Sequence, residues 1–171
     1  KQCHAAGSER CRFRPPNAKQ PEATAQLYWE ATFCLQPGGD SISRKGIVDA
    51  LLLGCIPVLF HTGQLAQWPW HWGAWVRSAS VLLNQSAVRA NKLDAIDYLA
   101  RLPAATVSSL QAAIRRHAHR MHYAAVDTSH LPAALRSRAT PDAFEVLLEG
   151  AWRLARDQRL QTLGRHLQRT R

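Results

Sequence analysis

The chain has 171 residues, 46% of them hydrophobic and 20% charged. That is the composition of one globular domain, long enough to bury roughly 70% of its unfolded surface without help from disulfides or metal. Its longest uninterrupted apolar stretch, Ala50 to Phe60, is far short of the roughly 20 residues that cross a bilayer, which excludes a transmembrane span. The 22 Lys and Arg against 12 Asp and Glu give a net charge of +10, an excess that suits an anionic partner without choosing among nucleic acid, membrane, polyanionic glycan and nucleotide.

In chain order, residues 1–21 are polar and basic, contain Pro15-Pro16, and read as an arm with at most a short helix at its start. With neither an initiator Met nor a signal peptide, this opening reads as the start of a fragment of something longer. Glu22 to Glu30 fits a short helix feeding a strand at Thr32–Leu35, and Gln36-Pro37-Gly38-Gly39-Asp40 fits a turn. A helix is expected from about Ser43, with Ile47, Ala50, Leu51 and Leu53 on its apolar face and Gly54 as its stop. Ile56–Phe60 is a short, wholly apolar run suited to a strand buried on both faces. A loop from His61 to Arg77, dense in Trp, leads to a third strand at Ser80–Asn84. Everything afterwards reads as helical. Leu93–Leu102 makes one helix, Val107, Leu110, Ile114 and Met121 share a longer second, and Phe144, Leu147, Leu148 and Trp152 line one side of a third. A connection from Asp127 to Pro141 separates the last two, and Arg156–Arg171 is basic and weakly amphipathic, and is expected to fray. Strands alternating with helices in the first half predict an α/β fold with a parallel sheet flanked by helices and joined by right-handed crossovers. The division that follows is a basic Cys-containing arm (1–21), a central domain (22–156) and a basic tail (157–171).

In an open parallel sheet, ligands sit beyond the carboxyl ends of the strands, where loops feed helix N-termini. The segment Pro37–Ser43 occupies that place. Its glycines permit close backbone approach, and Ser41 and Ser43 are hydroxyls able to cap a helix or bond a phosphate. Arg44 and Lys45 then put two cations where the helix dipole is positive, an arrangement that opposes the dipole by roughly 0.3–1 kcal/mol each and is better explained by a bound anion. The blander possibility is a serine cap with two solvated cations beside it.

The stretch FCLQPGGDSISRKGIVDALLLGCIPVLF, Phe33 to Phe60, resembles the signature of the exostosin family of glycosyltransferases, particularly its plant and algal members. Weaker similarity runs on through the Trp-rich loop to DAFEVLLEGAWR at Asp142–Arg153, and Cys3 and Cys11 resemble the cysteine-bearing segment that precedes the signature. The resemblance implies the GT-B architecture of two Rossmann-like domains, with this chain as its C-terminal, donor-binding half, a Rossmann-like parallel sheet flanked by helices, and an amino-terminal acceptor domain missing. It implies that Ser41, Ser43, Arg44 and Lys45 hold the diphosphate of a UDP-sugar and that Asp49 bonds the ribose. It further implies an inverting, metal-independent transfer of a sugar to a hydroxyl of a glycan or glycoprotein, with no cofactor, in the Golgi lumen, by a parent that is a single-pass type II membrane protein. No general base is assigned.

Other features have narrower readings. Trp68, Trp70, His71, Trp72 and Trp75 could stack on a sugar or base, but a structural clamp over the α/β core is the favoured role. His117, His119 and His122 do not converge on one helix face, so a metal role is disfavoured. Cys34 and Cys55 are near enough in a parallel sheet to be bridged or simply buried, and buried thiols are favoured there, with a local Cys3–Cys11 disulfide if the compartment is luminal. Asn84-Gln85-Ser86 is a glycosylation sequon. The rival functions are a non-catalytic exostosin-like scaffold and a nucleic-acid-binding face built from Arg115, Arg116, Arg120, Arg165, Arg169 and Arg171. No nucleic-acid module accompanies those arginines, so no nucleic-acid partner is expected.

Overall fold

The computed structural model describes residues 2–12, 21–123 and 140–169. It divides into two compact units, Lys1–Ala118 and His119–Arg171. Most of the Asp127–Pro141 connection, and Arg171, lie outside the described residues.

The first unit is mixed α/β around a three-stranded parallel sheet, β1 (Phe33–Gln36), β2 (Ile56–Leu59) and β3 (Val81–Leu82), in the order β1-β2-β3. β2 and β3 fall inside the predicted segments, while β1 is displaced by one residue from the expected Thr32–Leu35 and takes in Gln36, which was read as the first residue of the turn. Cys34 lies opposite Pro57, and Val58 opposite Val81. A proline in a central strand is unusual because it removes a ladder donor. Here Ile56 N–H bonds Thr32 on the β1 side and the Leu59 carbonyl accepts from Leu83 on the β3 side, so alternate residues of β2 face alternate neighbours. Pro57 therefore turns toward β3 one residue before that strand begins at Val81, and its missing N–H leaves no ladder bond unmade.

The pleat sends side chains to two covered faces, as a parallel sheet requires. On one face Val58, Phe60 and Leu83 pack with Ala95 and Leu99 of α5 (Ala95–Ala100), joined by Phe33, Leu35 and Val81. On the other, Cys34 and Cys55 pack with Ala50 of α3 (Lys45–Leu52) and with Tyr28 of α2 (Pro21–Glu30). The predicted helix from Ser43 begins two residues later, and it ends as expected. Gly54 takes a positive φ of 79°, its N–H bonds the Leu51 carbonyl, and Cys55 N–H bonds that of Ala50, a Schellman stop. Cys34 and Cys55 are joined in a disulfide, as are Cys3 and Cys11. The buried-thiol reading of the first pair is thus corrected. The Schellman stop swings Cys55 back beside β1, with Cα atoms 5.9 Å apart, well within bridging distance.

In the Trp-rich segment two short 3-10 turns, Thr62–Ala66 and Val76–Ser78, flank the tryptophans, of which Trp72 and Trp75 turn inward and Trp70 is exposed. Trp72 is fully buried and Trp75 nearly so. Their indole N–H groups bond the Gln67 and His71 carbonyls, and Trp72 meets Trp68 and Trp75 edge to face. That is the clamp anticipated. His117, at the end of α6 (Ala104–His117), stacks on Trp75 at 5.4 Å, so it is occupied in packing. The helix expected over Leu93–Leu102 is α5, capped by Asp94, and a short helix that was not expected, α4 (Gln85–Arg89), capped by Asn84, precedes it. Met121 falls in a separate 3-10 turn, Ala118–Met121, and not in α6.

The start of the chain is docked. Helix α1 (Gln2–Ala6) places Gln2 so that its amide donates to the Leu93 carbonyl and accepts from Ala95 N–H, and Arg10 pairs with Asp97 at 2.7 Å. In the second unit, α7 (Ala143–Arg169) is one continuous helix through the basic stretch expected to fray. Its N-cap is Asp142, whose carboxylate accepts from Phe144 and Glu145 N–H. The buried positions are Ala143, Val146 and Gly150, while Phe144, Leu147, Leu148 and Trp152 are exposed. The helix was legible; the face that it buries was not, because its small residues are the inward ones. Among the described residues, no helix is long and apolar enough to cross a membrane.

Candidate functional site

The carboxyl ends of β1 and β2 are pinned together by two buried glutamines. Gln36 ends β1 at an inward position, and its amide donates to the Gly46 carbonyl and the Tyr28 hydroxyl. Gln64, with no exposure, accepts from both Phe60 and His61 N–H through Oε1 and donates through Nε2 to the Gln36 carbonyl. Three backbone groups that run off the strand ends are thereby satisfied in a place where water is excluded. Composition gave no reason to single out these residues. Their signals were a polar residue in phase with Cys34 along β1 and a His-x-x-Gln spacing that matches a reciprocal helix-start box.

On this frame sits the loop from Pro37 to Arg44. Ser41 does not cap α3. Its hydroxyl accepts from Ser43 N–H and donates to the Ser43 carbonyl, closing the loop on itself, and Gly39 N–H bonds the Ser41 carbonyl. The N-cap is Arg44, with extended backbone and no side-chain acceptor, and the first turn of α3 holds no acidic residue. The free N–H groups with which any helix begins are therefore not covered by a protein carboxylate or hydroxyl. The Arg44 guanidinium lies across Gly39, where a Cβ would come within 2.6 Å of Nη1. A glycine at 39 is what lets the cation fold over the loop. Among the described residues Arg44 has no ion-pair partner.

Lys45 and Asp49, expected to serve a diphosphate and a ribose, meet each other instead. Lys45 Nζ lies 2.6 and 2.8 Å from the two Asp49 oxygens. The lysine is 86% exposed and precedes the acid by four residues, which is the weaker orientation for a helical pair and makes this an easily exchanged contact, worth about 0–1 kcal/mol. Ser41, Ser43, Arg44, Lys45 and Asp49 thus lie along one loop and the first turns of one helix, at the carboxyl edge of the sheet. Elsewhere, Asn84 is exposed and caps α4 with Oδ1, accepting from Ala87 N–H, which leaves untouched the amide nitrogen that a glycan would occupy.

The Exostosin GT47 domain model matches residues 1–94, a span that contains the docked start, the whole sheet and the loop just described. The chain is 32% identical to xyloglucan galactosyltransferase MUR3 of Arabidopsis thaliana over 115 residues, 67% of this chain and 19% of that protein. It is 36% identical to xyloglucan-specific galacturonosyltransferase 1 of the same plant over 102 residues, 57% of this chain and 15% of that one. The chain therefore spans less than a fifth of the length of these relatives. No solved structure matches it. With over half of its length matched by the family model, and with the sheet and loop inside that span, the chain belongs to the exostosin GT47 family of glycosyltransferase domains.

Proposed function

We propose that this chain is the donor-binding part of a glycosyltransferase of GT-B architecture, taking a UDP-sugar at the carboxyl edge of its sheet. The observation that carries the reading is the start of α3, an unguarded helix N-terminus flanked by Arg44 and Lys45 at the place where open parallel sheets bind ligands. A diphosphate there meets the α3 amides, the Ser43 hydroxyl and the Arg44 guanidinium. Lys45 leaves Asp49 for the phosphate oxygens, which hold more charge than one carboxylate. Asp49 is then released to accept from ribose hydroxyls. One exchange thus prepares both subsites.

In the transfer itself, the acceptor hydroxyl oxygen bonds to the anomeric carbon from the face opposite the diphosphate. The bond from that carbon to the β-phosphoryl oxygen breaks, and its electron pair leaves with UDP. The acceptor proton passes to a base supplied outside this chain. Arg44, Lys45 and the helix amides stabilise the charge that develops on the leaving group, so the proposed mechanism needs neither a divalent cation nor another cofactor. The relatives are named for different sugars but both for xyloglucan, which supports a cell-wall glycan of that class as acceptor, held with the help of an amino-terminal acceptor domain. The two disulfides support an oxidising lumen, that of the Golgi, reached by a type II membrane-anchored parent.

Calorimetry tests the reading. UDP should bind this chain, uridine more weakly, and Arg44→Ala should weaken UDP by about tenfold or more, as expected for the loss of a charge-assisted hydrogen bond. Absence of UDP binding at millimolar concentration, with tight salt-sensitive binding to an RNA oligonucleotide, would overturn it. UDP binding without sugar transfer by the whole protein would point to a scaffold.

A further inference from the structure

Immediately after β2, on the strand adjoining the proposed diphosphate site, stands an exposed histidine, His61. Its backbone is held by the buried Gln64, which accepts from His61 N–H at 3.0 Å. Its ring is held as well. Nδ1 lies 2.9 Å from Gly63 N–H and accepts from it, and the ring lies so close to Gly63 that a Cβ there would meet Nδ1 at 3.0 Å. A backbone N–H can only donate, so Nδ1 is the nitrogen without hydrogen and Nε2 carries the ring's N–H. The same Gly63 carries the Ile42 side chain, whose Cδ1 would lie 2.7 Å from that Cβ. Ile42 is the neighbour of Ser43 in the α3 loop, so Gly63 is where the loops after β1 and after β2 touch. His61 thus stands with its ring fixed, where the loop after β2 meets the loop that carries Ser43 and Arg44.

We propose that His61 contacts the donor substrate, its Nε2–H hydrogen-bonding a phosphoryl oxygen of the nucleotide diphosphate. This rests on the donor-site reading above and adds to it a residue from a second strand. Arg44 and Lys45 reach the diphosphate from the α3 loop, and His61 reaches it from the β2 loop, so the anion is gripped from two sides. The histidine brings no full charge in this arrangement. Its value lies in a direction already set before the ligand arrives, since both its backbone and its Nδ1 are committed.

The two ends of the ring can be separated by substitution. In His61→Asn the Oδ1 atom still accepts from Gly63 N–H, asparagine being a favoured residue at such a cap, while its Nδ2–H2 stands where the ring's Cδ2 was and falls short of the place of the Nε2–H. The chain with its disulfides intact is titrated with UDP and with uridine as probes, and its Tm is measured beside each titration. The expected result is that His61→Asn melts within a few degrees of the wild type, binds UDP about tenfold more weakly and binds uridine unchanged. A His61→Asn chain that binds UDP as the wild type does would overturn the proposal and leave the donor site standing, since the cap alone would then be the role of His61. Equal weakening of UDP and uridine would overturn it too, by placing the effect in the loop and not at phosphate. A wild-type chain that binds no UDP would remove the donor-site reading and this residue's part in it together.

Discussion

At the scale of single residues, the site depends on side chains whose work is to hold other groups still. Gln64 satisfies three backbone partners in a buried place, and replacing it with alanine leaves two N–H groups and a carbonyl without partners. An orphaned buried group costs about 1–3 kcal/mol, so Gln64→Ala should destabilise the chain by about 3 kcal/mol or more, read as a fall of at least 6 °C or so in Tm. Gly39→Ala makes a different prediction. The added Cβ collides with Arg44 on an exposed loop, so Tm should barely move, while UDP affinity should fall by about five- to tenfold as the guanidinium is displaced. Calorimetry beside a thermal melt separates the two classes. Arg44 and Lys45 could be singled out from sequence because cations at a helix start work against the dipole. Gln64 and His61 carry only the local signal of a His-x-x-Gln helix start; the bond from Gln64 to the Gln36 carbonyl and the meeting of Gly63 with Ile42 come from loops apart in the chain, and no local pattern encodes those.

At the scale of elements, the strand-helix-strand unit was the most legible part. Its punctuation is local: Gly54 needs a positive φ, and the apolar run after it has nowhere to go but a covered sheet. The disulfide was less legible, since the bridge between Cys34 and Cys55 depends on how sharply the Schellman stop returns the chain. That bridge closes a loop of sequence separation 21 between β1 and the start of β2. Removing it with Cys34→Ala and Cys55→Ala together should cost about 2–4 kcal/mol, measured by denaturant unfolding against the oxidised wild type. Its loss would loosen α3 against the sheet. UDP affinity in the double variant should fall along with stability, because the unguarded N-terminus is aimed by that packing. In α7 the periodicity of large apolar residues named the helix and missed its buried face, which is made of Ala143, Val146 and Gly150.

At the scale of the whole molecule, the +10 charge divides into parts with different meanings. Arg10 and Arg12 are spent on structure. The first hydrogen-bonds Asp97, and the second joins Gln26 in bonding Glu30. Asp97 is held below the usual aspartate range by its bond from Arg10, and Glu30 below the usual glutamate range by its bonds from Gln26 and Arg12. The sign follows from linkage. Because each folded carboxyl titrates below its unfolded value, each contributes stability at pH above the unfolded value, and that contribution is lost as pH falls through the folded one. Carboxyl titration by NMR should place the Asp97 midpoint below the ordinary range and show it rising in Arg10→Ala. An unchanged midpoint would show that the docked start is held by Gln2 and α1 without the ion pair. The arginines of α6 and α7, more numerous than those beside the α3 loop, gave the sequence its basic character, yet Arg44 and Lys45 are the cations for which we propose a ligand. The central claim is that an anionic nucleotide sits at the start of α3. Its most direct test is a titration of isotope-labelled chain with UDP, followed through backbone amide shifts. The largest shifts should fall at Ser41–Ile47 and at His61–Gly63, and they should shrink when uridine replaces UDP. Shifts confined to the α6 and α7 arginines, or none at all, would contradict it.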